Sequence, residues 1–162
     1  MLLLSLCVFV MASQEMRPAG VVESLPDPPV HRLAPPTSKE VDDAKARAAG
    51  RALAGTQRVV AADAMKKGKW QKRKSGAWVW RLRMQSVGAS GLRIHFRNFA
   101  VGGSNVWLYA KSNEMEGPFT GTRAEFWSSV VFGDWVIVEY SPGDKKKSKK
   151  LPFVMDLISH QF

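Results

Sequence analysis

The residues with which this chain could do chemistry are few and scattered. Its histidines are His31, His95 and His160. None stands in an H-x-x-x-H or H-E-x-x-H spacing, so no zinc site is expected. His95 falls on the polar face of a strand between Arg93 and Arg97 and reads as an exposed sheet residue. Nucleophilic catalysis needs a base beside a serine or cysteine, together with oxyanion donors. No G-x-S-x-G elbow and no phosphate-cradling G-x-x-x-x-G-K-[ST] occurs, and Gly102-Gly103 reads as a turn. Acid–base work needs paired carboxylates facing a cleft. The candidates are Glu114, Glu116, Glu125, Asp134, Glu139 and Asp156. Glu114 and Glu116 sit beside Gly117-Pro118, and Asp134 suits a turn. Glu139 and Asp156 lie within strands, where they can pair with Arg or Lys across a sheet. No catalytic residue, cofactor or metal is therefore expected.

Binding is the better-supported chemistry. Against 14 acidic residues stand 24 Lys and Arg, a formal charge of +10. The excess gathers at Lys66, Lys67, Lys69, Lys72, Arg73 and Lys74, and again from Lys145 to Lys150. Such clusters attract nucleic acid, acidic polysaccharide or lipid head groups, although basic loops are often only solvated. The candidate polyanion or partner contacts are Lys72, Arg73, Lys74, Arg81, Arg83, Arg93, Arg97, Lys145, Lys146 and Lys147. Trp107, Trp127 and Trp135 are candidate exposed aromatics for sugar or peptide; otherwise they close the ends of a β-sandwich.

The elements that must position these residues are strands. In Trp78–Gln85, Trp78, Trp80, Leu82 and Met84 point one way, and Val79, Arg81, Arg83 and Gln85 the other. In Leu92–Phe99, Leu92, Ile94 and Phe96 share a face opposite Arg93, His95 and Arg97. A period of two with one apolar face marks an antiparallel sheet on a core. A Gly-containing turn joins the two strands. Further strands are expected at 57–62, 104–111, 124–132, 134–141 and 151–160, with breaks at Gly102-Gly103 and Gly117-Pro118 and a hairpin-like turn at Gly133-Asp134. The expected fold is all-β: an antiparallel β-sandwich or jelly-roll-like domain of seven or eight strands, over residues 57–162.

Three segments precede it. Residues 1–12 have the length of a signal-peptide core, with small residues before a cleavage point at Ser13 and no preceding positive charge. They include Cys7, the sole cysteine, so a processed chain would carry no disulfide; no transmembrane span is expected. Residues 13–37 hold six of the nine prolines and read as a disordered linker, or an arm draped on the domain. Residues 38–56 hold an Ala-rich helix opened by a Thr37–Glu40 capping box, with an Asp43–Arg47 surface pair and Gly50 weakening its middle.

The stretch from Trp70 to Phe162 resembles the N-terminal, non-catalytic region of bacterial secreted trypsin-like serine endopeptidases of the lysyl-endopeptidase type. The matching residues are Val79 to Arg83, Ser86 to Ala89, Leu92 to Phe99, Val106 to Tyr109, Glu116 to Phe119, Phe126 to Ser128, Gly133-Asp134, Val138-Glu139, Leu151 to Phe153 and Ile158 to His160. Residues 42–59 look like the Ala-rich segment ahead of that region. The family carries a protease domain after it, with its His, Asp and Ser. Here the chain ends at Phe162, Gly133-Asp134 runs into Trp135 rather than a Gly-Asp-Ser-Gly, and Val87 stands where proline is common. The resemblance implies a secreted or periplasmic accessory or pro-region whose partner is a serine protease domain in cis or in trans, and it transfers no proteolysis to this chain. A glycan- or polyanion-binding module is the alternative.

Overall fold

Trp80, Leu82 and Met84 project into the core as their alternation requires, and so do Leu92, Ile94 and Phe96. The computed structural model describes residues 16–111, 114–143, 147 and 150–162; the expected signal segment, with Cys7, and Lys145 and Lys146 lie outside the described residues. The elements run α1 (Ala19–Val22), β1 (Val30–Leu33), α2 (Ser38–Ala48), β2 (Gly55–Val59), α3 (Ala64–Lys67), β3 (Lys69–Lys72), β4 (Trp78–Ser86), β5 (Gly91–Lys111), β6 (Glu114–Trp127), β7 (Val131–Phe132), β8 (Trp135–Ser141) and β9 (Val154–Gln161). The fold is all-β in character; the described residues form nine strands in one curled sheet ordered β1-β4-β8-β5-β9-β2, with β3 paired to β4, and β6 and β7 to β5. Most pairs are antiparallel, but β1 runs parallel to β4, which makes the sheet mixed.

The two strands of the sequence signature are not partners. β4 is paired to β3, β1 and β8, whereas the first half of β5 is paired to β9 and β6. Gly102-Gly103 does not end a strand. β5 runs through it for 21 residues and exchanges neighbours there, from β9 before the glycines to β8 after them. β6 follows β5 along both halves, with Gly121 opposite Gly102 and register shifts on either side. A flexible pair of facing glycines lets a ladder bend without breaking, as bulges do. Gly117-Pro118 likewise lies inside β6 rather than between strands. Gly133-Asp134 joins β7 to β8 without a hairpin, because β7 pairs with β5 and β8 with β4 and β5.

The bend lets both halves of β5 serve one core: Ile94 and Phe96 before it and Val106 and Leu108 after it pack in the same cluster, with Val138, Phe153 and Ile158. Phe96 lies among Phe99, Phe119, Phe126 and Phe153 at ring separations of 5.1–6.2 Å. Such offset and edge-on arrangements suit the aromatic quadrupole. A second, smaller cluster of Trp107, Tyr109 and Ile137 occupies another face, with Val21 against it.

The Pro-rich segment is folded from residue 16 onward, not disordered. α1 rests on the second cluster, and β1 adds to the edge of β4 in register from Val30↔Arg83 to Leu33↔Ser86. Thr37 and Glu40 form the expected capping box at the start of α2. The helix stops at Ala48; Ala49 takes a left-handed conformation, so Gly50 lies beyond the helix rather than in its middle. Asp43 pairs with Lys39 at 2.8 Å, one turn earlier, in place of Arg47. Among the described residues no helix is long and apolar enough to cross a membrane.

Candidate contact surface

β4 and β8 are central strands, and the face of β4 opposite the core is covered by the N-terminal arm. Arg81 is consequently 2 % exposed and Glu139, its cross-strand partner, is 0 % exposed. The Arg81 Nε lies 3.4 Å from Glu139 Oε2 and donates to the Tyr109 hydroxyl at 3.1 Å. That hydroxyl donates to Glu139 Oε2 at 2.8 Å. Arg81 Nη1 donates to the Pro26 carbonyl and to Gln71 Oε1. The N–H groups of Ala19 and Gly20 complete the carboxylate's partners, at 2.6 and 2.9 Å. Burial, and then the Glu139 charge, push the Tyr109 phenol far above its usual range, so it stays protonated as the donor in this network. Arg81 therefore joins arm to sheet and is not the surface contact expected of it. The strand pairing expected for Glu139 is present.

Arg83 is half-covered in the same way. It lies 3.2 Å from Asp27 and stacks 4.4 Å over the Trp135 ring, with its Nε buried and unpartnered. Arg73 meets Glu23 at 2.6 Å, and the Lys74 N–H donates to the other Glu23 oxygen. Those contacts, led by the Lys74 N–H, hold the Glu23 carboxyl below the usual range. Lys72 is exposed, and Lys147 sits 3.9 Å over the Trp78 ring. Trp107 is buried at 6 % exposure, which removes it as an exposed aromatic.

One group of expected residues does assemble. On the outer face of β5, β6 and β9, His95 Nδ1 meets Asp156 Oδ1 at 2.7 Å, and Arg97 reaches the other carboxylate oxygen at 3.3 Å. The Trp127 ring lies 4.8 Å from the His95 ring and 5.5 Å from the Arg93 guanidinium, whose Nε donates to the Ser128 carbonyl. His95 is thereby 8 % exposed and paired, not an open sheet residue. Asp156 makes the cross-strand pairing expected of it. The cluster offers a partly exposed tryptophan between cations, a surface suited to stacking and to anions, and it holds no nucleophile.

A serine–histidine contact escaped the sequence reading. Ser86 Oγ lies 2.9 Å from His160 Nδ1, and Arg58 Nη1 donates to the same hydroxyl at 3.3 Å. Arg58 also reaches the Ala34 carbonyl and Glu40 Oε1. Ser86 is 0 % exposed and His160 3 %. A nucleophile needs access to substrate and donors for the oxyanion. This pair has no access, and the guanidinium already occupies the hydroxyl, so its role is to tie β2, β4 and β9 together. Burial, and then Arg58, lower the His160 pKa, which keeps the ring neutral beside the serine. The only local trace of such buried polar groups is a lone charge in an apolar run, as Glu139 stands in Trp135–Ser141. No family model matches the chain, and no curated protein is similar to it.

Proposed function

We propose that the chain is a secreted, non-catalytic β-domain that acts through a partner, of the kind that precedes the protease domain in trypsin-like serine endopeptidase precursors of the lysyl-endopeptidase type. Its work is to assist the folding, inhibition or targeting of that protease domain. The observation that carries the reading is the ordered set of motifs from Trp70 to Phe162, which occupies β3 to β9 and their flanks. The state of the polar groups supports it. His95 with Asp156, His160 with Ser86 and Glu139 with Arg81 are each engaged inside the domain and do not converge on a cleft. In this reading the curled sheet is a β-sandwich closed through the bend of β5, because residues from both halves of that strand share one core. The test has two arms. The purified chain is assayed on Lys and Arg amide substrates, and a lysyl-endopeptidase-type protease domain is refolded with and without it. The expected outcome is no turnover by the chain and a changed yield or activity of the protease. Turnover abolished by serine-protease inhibitors, or no effect on the protease and no association with it, would overturn the reading.

A polyanion ligand is favoured by a separate observation. Lys66, Lys67, Lys69, Lys72 and Lys74 are exposed along α3, β3 and the turn after it, and none joins an ion pair among the described residues. Retention on heparin should then fall steeply with salt, and neutralising these lysines should abolish it. Retention that is indifferent to salt or to the substitutions rejects this second reading.

A further inference from the structure

Beside α3 the surface opens into a groove of about 440 Å³. Trp80 and Phe153 form its floor, at 3 % and 2 % exposure, and pack edge-on at 6.2 Å. Met65, Trp70 and Leu151 form its half-buried walls. Met65 is fixed there by the Met155 N–H, which reaches its sulfur at 3.4 Å. Gly68 admits the loop between α3 and β3, since a Cβ at that position would collide with the Trp80 indole. The volume falls in the range of small-molecule sites, about 300–1,000 Å³. Among the described residues the lining carries two charged side chains, Lys66 and Lys150, both on the rim, and no carboxylate. An apolar trough with cations at its edge matches a ligand with an apolar body and one anionic head.

We infer that this groove binds an amphiphilic monoanion, an alkyl or aryl carboxylate, with its apolar body on Trp80 and Phe153 and its carboxylate at Lys66. A peptide strand is the poorer occupant. The neighbouring edge strand, β3, has only four residues and shows exposed Lys69 and Lys72, the features that discourage strand addition. A nucleic acid or long polysaccharide would engage the lysines and leave the trough unfilled.

The test uses decanoate, decanol and decyltrimethylammonium, each below its micelle threshold, titrated calorimetrically into the full chain. Decanoate should bind saturably at one site. The alcohol should bind about five-fold more weakly and the cation more weakly still, the scale of one ion pair at a half-exposed site. Lys66→Gln should weaken decanoate by the same factor and leave decanol unchanged. A decanoate brominated at its far carbon should quench tryptophan fluorescence through contact with Trp70 and Trp80, and Trp70→Phe should reduce that quenching. Leu151→Trp, or Met65→Trp as a second variant, should abolish binding with the far-ultraviolet circular dichroism unchanged. Equal binding of all three probes, an unaltered affinity in Lys66→Gln, or no quenching in the unsubstituted chain would overturn the proposal; the last of these decides even if both blocking variants fail to fold.

Discussion

The backbone N–H of Ala19 donates to Oε1 of Glu139 at 2.6 Å, across 120 positions of sequence. A buried carboxylate in a central strand is thereby satisfied by the N-terminal arm together with Tyr109 and Arg81. Removing one member of a buried ion pair leaves the other uncompensated, which costs about 3–5 kcal/mol. Glu139→Gln should lose that amount in urea unfolding and expose the arm to trypsin at Arg32. An arm that resists trypsin while the stability falls would show that the carboxylate supports the sheet alone.

Gly20 sits where a side chain has no room. A Cβ there would collide with the Tyr109 hydroxyl and lie 2.6 Å from the Arg81 guanidinium carbon, and both groups are held by the Glu139 network. Gly20→Ala should therefore release α1 locally, at about 1–3 kcal/mol for overpacking. The Ala19 and Gly20 amides should exchange hydrogen far faster, while amides of β5 remain protected. Unchanged exchange at these amides would mean that the network yields without cost.

Capping and face alternation are legible from neighbouring residues, whereas the Asp43 partner, the end of α2 and the course of β5 through Gly102-Gly103 are not. The capping box at Thr37 and the apolar face of Leu92, Ile94 and Phe96 involve neighbours in the chain, so residue types alone specify them. Arg81 alternates correctly with Trp80 and Leu82, yet it is buried too, because residues 19–27 return over the outer face of β4. Nothing near Arg81 in sequence announces that cover. Proline content suggested a chain without partners, but an edge strand tolerates prolines at its ends, and β1 follows Pro28 and Pro29. Gly102-Gly103 was a true signal of backbone departure; only the pairing of β6 on both sides decides between a bend and a turn.

Gly117 tests a second register shift of the β5–β6 ladder, between Val106 and Leu108. Its φ is +119°, and a Cβ would stand 2.8 Å from the Val106 carbonyl oxygen, a backbone atom that cannot swing away. Gly117→Ala should lose about 1–3 kcal/mol through the left-handed strain, and more if the β5–β6 ladder must part. The reference is Gly76→Ala, at a positive φ with open space around it, which carries the conformational strain without the collision. Equal losses in the two variants would show that the approach to Val106 is not a constraint.

Mild acid should weaken the fold through two histidines. Burial is the main cause lowering the pKa of both His31 and His160 from 6.5, with the Lys67 charge adding at the first and the Arg58 charge at the second. His31 Nδ1 accepts from Lys67 Nζ at 3.2 Å, and the His160 Nδ1 shares a hydrogen bond with Ser86 Oγ at 2.9 Å. Below the unfolded pKa the unfolded chain binds protons that the native chain refuses. Stability is therefore full above that value and declines as pH falls toward the folded pKa of each ring, by at most about 1.4 kcal/mol per pH unit per histidine. Glu23 and Glu40, both held below their usual pKa by backbone N–H bonds, lose their contributions only at lower pH, as it falls below 4.5 toward their folded values. The melting temperature should thus drop between about pH 7.5 and about pH 5.5, where the carboxylates remain ionised. His160→Gln, which keeps a hydrogen-bond partner for Ser86, should remove part of that slope, and the double variant with His31→Gln should leave the interval flat. A melting temperature that holds or rises on acidification would mean that one or both rings take up their proton without leaving the folded state.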